Sequence, residues 1–156
     1  MIYFAYGSNL DRLQMSARCP GARFIGAARL YDYRLTFPRR SHVRDSAVAS
    51  IERAEGASVW GALYEIADED VPRLDGREGY EPRRGVGENF ANRVPVTVIA
   101  ADGAPLEAMT YVTSPKPDPG LPSADYLSIL ISGAIACSAA EEYIAMLSSH
   151  PSEARA

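Results

Sequence analysis

The sequence predicts an α+β fold, a small and mostly antiparallel β-barrel with flanking helices. Three observations carry this. Six or seven strand-like runs follow one another in hairpin-like succession. Helical patterns occur only after the first run, in mid-chain and near the end. No long alternation of strand and helix is present, which argues against a doubly wound parallel sheet.

The first ten residues organise the rest. Met1-Ile2-Tyr3-Phe4-Ala5-Tyr6 reads as an apolar, aromatic strand, which breaks at Gly7-Ser8-Asn9-Leu10 into the start of a helix. A turn of this kind gathers free backbone N–H groups at one spot, and such spots attract anions. Gly7 permits a positive φ or a close ligand approach, and Ser8 or Asn9 can cap the helix. The same turn also serves purely structural ends.

Residues 9–18 carry Leu10, Leu13, Met15 and Ala17 at loosely helical spacing. Cys19-Pro20-Gly21 ends that helix, because proline and the residue before it both oppose continuation. Strand-like runs follow at 22–30 and 31–37. In the second, Tyr31, Tyr33, Leu35 and Phe37 alternate with Asp32, Arg34 and Thr36, the period of a half-buried strand. Pro38 stops it, and 39–46 is a polar, basic loop.

A short strand at 47–51 and a turn at 53–56 lead to the strongest strand, 59–66, where Gly61 marks a bulge or a close backbone approach. Asp68-Glu69-Asp70 opens a short helix that carries Val71, Leu74 and Asp75 before Gly76. Residues 81–91 read as a charged, mobile loop. Arg93–Ala101 and Leu106–Thr113 form a hairpin about Asp102-Gly103. Four prolines between Ser114 and Pro122 stiffen a connector. Ser123 then caps a helix from Ala124 to Ala136, and a second short helix spans 139–148.

The 156 residues fit a single domain over 1–150, with 151–156 expected to fray. Charged residues make up 23% and apolar ones 47%, ordinary for a globular protein. The net charge of −4 gives no electrostatic case for nucleic acid or an anionic membrane. No signal-peptide pattern and no run of roughly 20 apolar residues is present, so the expected location is the cytoplasm. Cys19 and Cys137 have no Cys-x-x-Cys pattern and read as free, packed thiols.

Two stretches carry candidate chemistry besides the opening turn. Glu78 sits between glycines 76 and 79, just past a helix end. It is either a solvated loop acid or a carboxylate whose tight, apolar setting raises its pKa for proton transfer. In the basic loop, Arg39 or Arg40 either faces solvent or reaches an anionic substrate group through paired hydrogen bonds. His42 stands alone there and ranks low as a base.

Tyr6-Gly7-Ser8-Asn9-Leu10 at the start, then Leu74-Asp75-x-x-Glu78-Gly79, then Pro122-Ser123-x-x-Tyr126, together resemble the γ-glutamylcyclotransferase-like family over essentially the whole chain. The resemblance implies a small β-barrel with flanking helices and no metal or organic cofactor. It implies release of a γ-glutamyl group from an amide as 5-oxoproline. It also implies Tyr6, Gly7, Ser8, Asn9 and Leu10 as substrate cradle, with Glu78 as general acid/base. Tyr126 belongs either to the pocket or to helix packing.

Relatives often carry a tyrosine just before the strand near Arg93. Here Glu88-Asn89-Phe90-Ala91-Asn92 departs from that, leaving Tyr80, Tyr111 or Tyr126 to supply a hydroxyl. The expected partner is a small γ-glutamyl amide, not nucleic acid or membrane, and the oligomeric state is not legible. The leaving amine is open: an amino acid, a lysine ε-amine or a biosynthetic intermediate. The alternative is a non-catalytic binder of γ-glutamyl or other carboxylate compounds on the same scaffold.

Overall fold

A computed structural model describes residues 1–153 of the chain. Five strands close a barrel in the order β1-β3-β2-β4-β5. They are β1 (Ile2–Ala5), β2 (Arg23–Ser41), β3 (Ser46–Glu65), β4 (Ala91–Ala100) and β5 (Pro105–Thr113). Neighbours are antiparallel except β1 and β5, which meet in parallel at Tyr3 and Met109. The ring closes through short pairings, Ala28 and Arg29 of β2 with Ala100 and Ile99 of β4 and Tyr3 of β1 with Met109 of β5, and helices flank the barrel. The predicted fold class holds.

The strand count is lower than the sequence suggests, because two central breaks are bends rather than turns. β2 and β3 run for 19 and 20 residues. Near the expected break, the register slips between Tyr31 and Tyr33, and Asp32 adopts a φ of 63°. Its carboxylate accepts the Gly56 N–H at 3.0 Å, so the turn-like residues at 53–56 serve a bulge in a continuous ladder. Pro38 lies within another slip, between Thr36 and Arg39, where a missing N–H is tolerated and the strand continues. The basic loop shrinks to residues 42–45.

β1 explains its own apolar run. Phe4 joins a barrel core with Leu30, Ile51, Val59 and Val98, while Tyr3 and Ala5 face a second core with Met15, Ile66 and Leu74. Period-two alternation therefore buries both faces, and no polar side is needed. The close approach expected at Gly61 is present: an added Cβ there would lie 2.5 Å from the Ala5 carbonyl oxygen.

The helices are α1 (Arg12–Arg18), α2 (Val71–Glu78), α3 (Ala124–Ala136) and α4 (Glu141–Ser149). Asp11, rather than Ser8 or Asn9, caps α1 by accepting the Leu13 and Gln14 N–H groups. Starting the helix at Arg12 turns Leu13 and Ala17 outward and leaves Met15 wholly buried. α2 runs past Gly76 to Glu78, and Gly79 ends it with a φ of 72°. Glu78 is thus the last helical residue, not a loop residue. The 81–91 segment is held by Asn89, which exchanges hydrogen bonds with the Glu81 backbone.

Within the tail 151–156 expected to fray, Glu153 contacts the rest of the fold. The Glu153 N–H donates to the Pro122 carbonyl at 2.9 Å, and its carboxylate pairs with Arg40. Residues 154–156 lie outside the described residues. Cys19 and Cys137 are buried free thiols. Among the described residues no helix is long and apolar enough to cross a membrane.

Candidate active site

Chain geometry brings the two informative stretches together. β1 ends at Ala5, and the chain passes Tyr6 and Gly7 into one 3-10 turn, Ser8–Leu10. α2 ends beside that turn, so Glu78 faces Asn9 across 69 positions of sequence. A cavity of about 170 Å³ opens between them, lined by Tyr6, Gly7, Ser8, Asn9, Glu78 and Tyr126.

Leu10 stays outside this cavity. Its N–H is taken by the Gly7 carbonyl at 3.0 Å, and its side chain presses on Gly133 of α3, where an added Cβ would lie 2.4 Å from Leu10 Cβ. Its place is in packing. Gly7 has a φ of −104°, so a left-handed backbone does not account for the glycine. A side chain there would project toward Tyr126 Oη at 3.4 Å.

Asn9 is 2% exposed, yet every polar atom of its side chain is used. Its Nδ2 donates to Tyr3 Oη at 3.0 Å and to Glu78 Oε1 at 3.1 Å. Its Oδ1 accepts from Gln14 Nε2 at 3.0 Å and from Arg18 Nη1 at 2.9 Å. A guanidinium cannot accept a hydrogen bond, so the atom facing Arg18 must be the oxygen. The amide hydrogens are therefore turned to Glu78. Tyr64 anchors the same residue by donating its hydroxyl to the Asn9 carbonyl at 2.9 Å.

Burial pushes the Glu78 carboxyl above the ordinary carboxylate range. The Arg18 and Arg44 cations and the Asn9 hydrogen bond pull the other way, and burial prevails. The surrounding tyrosines stay protonated as donors. Burial raises Tyr126 to about 12 and Tyr6 higher still, with the Glu78 charge adding to both. Tyr6 donates its hydroxyl to the Tyr111 carbonyl. Tyr126 Oη accepts the Ala49 N–H at 2.9 Å, which leaves its own hydrogen for the cavity.

Of the three tyrosines expected to supply a hydroxyl, Tyr126 is the one placed to do so. Tyr111 lines the cavity but donates to Asp75 Oδ1 at 2.6 Å. Tyr80 lies outside, with the Arg93 guanidinium over its ring and Tyr111 edge to face with it. Asp75 itself is a buried anchor. Arg93 Nη1 reaches both its oxygens at 3.0 Å, which ties α2 to β4 and fixes Glu78 one turn further on.

Neither Arg39 nor Arg40 reaches the cavity. Arg40 pairs with Asp45 and Glu153, and Arg39 lies over the Phe90 ring. Another residue of the same loop does line it: Arg44 donates to Gln14 Oε1 at 2.5 Å and sits over the Tyr126 ring. Arg18 and Arg77 complete a cationic rim. Among the described residues none of these three arginines forms an ion pair with a carboxylate. His42 is exposed and outside the lining.

Gln14, Arg18, Arg44 and Arg77 were not legible as site residues. Gln14 and Arg18 did carry a signal: they are four apart on a helix directly after the candidate cradle, and so share one face. Arg44 carried only membership of the basic loop, and nothing set it apart from Arg39 and Arg40, since its partner is 30 positions away. The site as built offers one buried carboxylate, oriented by an amide, inside a ring of donors and cations. That arrangement can move a proton while holding an anionic compound. Among the described residues no cluster of His, Cys, Asp and Glu is placed to hold a metal ion.

Comparison with known proteins bears on the family and the fold. The family model described as the AIG2-like family matches residues 58–147. The chain is 30% identical over 138 residues to γ-glutamylcyclotransferase of Bos taurus, covering 85% of this chain and 69% of that one. The Homo sapiens γ-glutamylcyclotransferase is likewise 30% identical, with the same coverage. A solved structure described as a γ-glutamyl cyclotransferase superposes with a TM-score of 0.88 at 26% identity, covering 99% of this chain and 90% of that one.

Proposed function

Since the chain belongs to the AIG2-like family and is an enzyme of the γ-glutamylcyclotransferase type, we propose that it releases 5-oxoproline from a γ-glutamyl amide with Glu78 as general acid/base. The substrate's α-amine nitrogen attacks its own γ-carbonyl carbon, so no protein nucleophile is required. At neutral pH that amine is mostly an ammonium and cannot attack. The Glu78 carboxylate takes its proton, and the new C–N bond closes a five-membered ring.

The carbonyl oxygen then carries the developing negative charge. The backbone N–H groups at Gly7, Ser8 and Asn9 are the donors proposed for it, with Leu10 left out because its own N–H is engaged. Protonated Glu78 next gives its proton to the departing nitrogen. The amide C–N bond breaks, the ring nitrogen gives up its second proton to the ionised carboxylate, which passes it to the freed amine, and 5-oxoproline and an ammonium leave with Glu78 ionised again. One carboxylate serves these proton transfers in sequence. A pocket that folds the substrate so that amine and carbonyl meet supplies much of the remaining acceleration.

The single observation behind this reading is the Asn9-oriented Glu78 carboxylate inside a cation-rimmed cavity. A raised pKa suits an acid/base whose proton must leave again within one turnover. The test is incubation with a panel of γ-glutamyl amides whose leaving amines are anionic, neutral and cationic, with 5-oxoproline followed by mass spectrometry. Release from at least one of them supports the reading. An inert panel, with binding still measurable by calorimetry, favours a carboxylate-binding role on the same scaffold.

A further inference from the structure

The proton carrier is oriented by a residue that is itself oriented from α1. Gln14 donates both amide hydrogens, to Ser8 Oγ at 2.8 Å and to Asn9 Oδ1 at 3.0 Å. Its oxygen accepts from Arg44 on the β2–β3 hairpin at 2.5 Å. Arg18, one turn later on the same face, closes on the same Asn9 oxygen. Through Gln14 and Arg18, α1 thus grips the Asn9 carboxamide, whose other end meets Glu78 of α2. The flip state of that carboxamide then decides whether Glu78 meets a donor or an acceptor.

We propose that Gln14 and Arg18 are positioning residues of this site, acting through Asn9 to hold a hydrogen-bond donor against the Glu78 carboxylate. The inference rests on the reading of Glu78 as proton carrier. Reversing the Asn9 amide would set its oxygen against the carboxylate, an unfavourable pairing that disfavours ionised Glu78. Gln14 also takes the Arg44 donor and so holds the hairpin tip over the cavity mouth. Substrate grip at the hairpin and proton affinity at Glu78 are therefore linked through one neutral side chain.

Other groups also face Glu78 and set the background for any titration. Arg18 approaches from α1, Arg44 from the hairpin and Arg77 from its own helix. The hydroxyls of Tyr3, Tyr6, Tyr111 and Tyr126 approach from β1, β5 and α3. Gln14→Leu changes none of these charges. Arg18→Lys keeps the cation while giving up the guanidinium geometry.

The experiment titrates the 13C-labelled side-chain carboxyl of Glu78 by NMR in the substrate-free protein, with its signal assigned from its loss in Glu78→Gln. Wild type, Gln14→Leu and Arg18→Lys are compared, and kcat and KM are measured across pH on the best amide of the panel. The expected result is an upward move of the Glu78 midpoint in both variants, with the acid limb of kcat/KM following it. Alongside it, kcat falls about tenfold and KM changes by less than about threefold.

An unchanged midpoint in both variants overturns the inference, and so does a rise in KM alone, which would make the two residues substrate contacts. If Gln14→Leu does not fold, Arg18→Lys decides by the same readouts. If wild type releases no 5-oxoproline, the catalytic reading fails. The substrate-free titration then still decides whether Asn9 is held from α1.

Discussion

Asn9 and Glu78 meet through one hydrogen bond, Nδ2 to Oε1 at 3.1 Å, and that bond joins the turn after β1 to the last residue of α2. Each partner is fixed by its own element. Asn9 is locked by Tyr3, Gln14, Arg18 and Tyr64, and Glu78 by a helix anchored through Asp75. The contact sits where the two cores meet, which is why a short turn and a short helix suffice to build the site.

Asn9→Leu removes the amide while keeping similar volume. It leaves the Arg18 guanidinium and Tyr3 hydroxyl short of a partner, so urea denaturation should read a stability loss of about 2 kcal/mol. Loss of the donor to Glu78 should lower kcat by about a hundredfold, measured on any amide the wild type turns over. A variant with near-normal kcat would remove Asn9 from the mechanism.

The raised Glu78 pKa has a definite sign for stability. The folded state holds this proton to higher pH than the unfolded chain, so ionising Glu78 destabilises the fold. Its contribution declines as pH rises from the ordinary carboxylate value through the raised one. Glu78→Gln should therefore gain thermal stability relative to wild type as pH rises from about 4 to 7. A melting-temperature difference that is flat across that interval contradicts the shift.

Asp75→Ala tests the anchor rather than the chemistry. It strands the Arg93 guanidinium and the Tyr111 hydroxyl in a largely buried place. Breaking a buried pair from one side should cost about 3 kcal/mol in urea denaturation. A loss below about 1 kcal/mol would mean that α2 is held chiefly by Leu74.

The cationic rim bears on which leaving amine is preferred. Among the described residues the Arg44 guanidinium donates to the neutral Gln14 oxygen and to no carboxylate, so its charge remains available to an anion. Arg44→Gln should raise KM about tenfold for amides whose leaving portion carries a carboxylate and leave neutral ones nearly unchanged. Steady-state kinetics on the two classes decides it. An equal rise for both would reassign Arg44 to the hairpin's own structure.

How much of this was legible in the sequence divides along physical lines. Period-two alternation and helix caps act over a few residues, so the barrel class, the α3 boundaries at Ala124 and Ala136 and the Asp102-Gly103 hairpin could be read. Asp32, Pro38 and Gly56 misled because turn chemistry and bulge chemistry use the same residues; only pairing across the sheet tells them apart. Family resemblance pointed to Asn9 and Glu78, but nothing local said that they touch. Arg44 belonged to the basic loop, yet nothing set it apart from Arg39 and Arg40. Its role comes from the 30-residue span to Gln14, whereas its neighbours Arg39 and Arg40 turn to Phe90 and Glu153. Leu10 shows the converse: it sits within a site-like motif and yet packs on Gly133.

The most direct test of Glu78 as proton carrier is a single-turnover measurement, with enzyme in excess over one γ-glutamyl amide and 5-oxoproline quantified by mass spectrometry for wild type and Glu78→Gln. The expected result is release by wild type and a rate at least about a hundredfold lower for Glu78→Gln, with substrate affinity retained. Equal rates for the two proteins would contradict it, because the proton would then travel without Glu78.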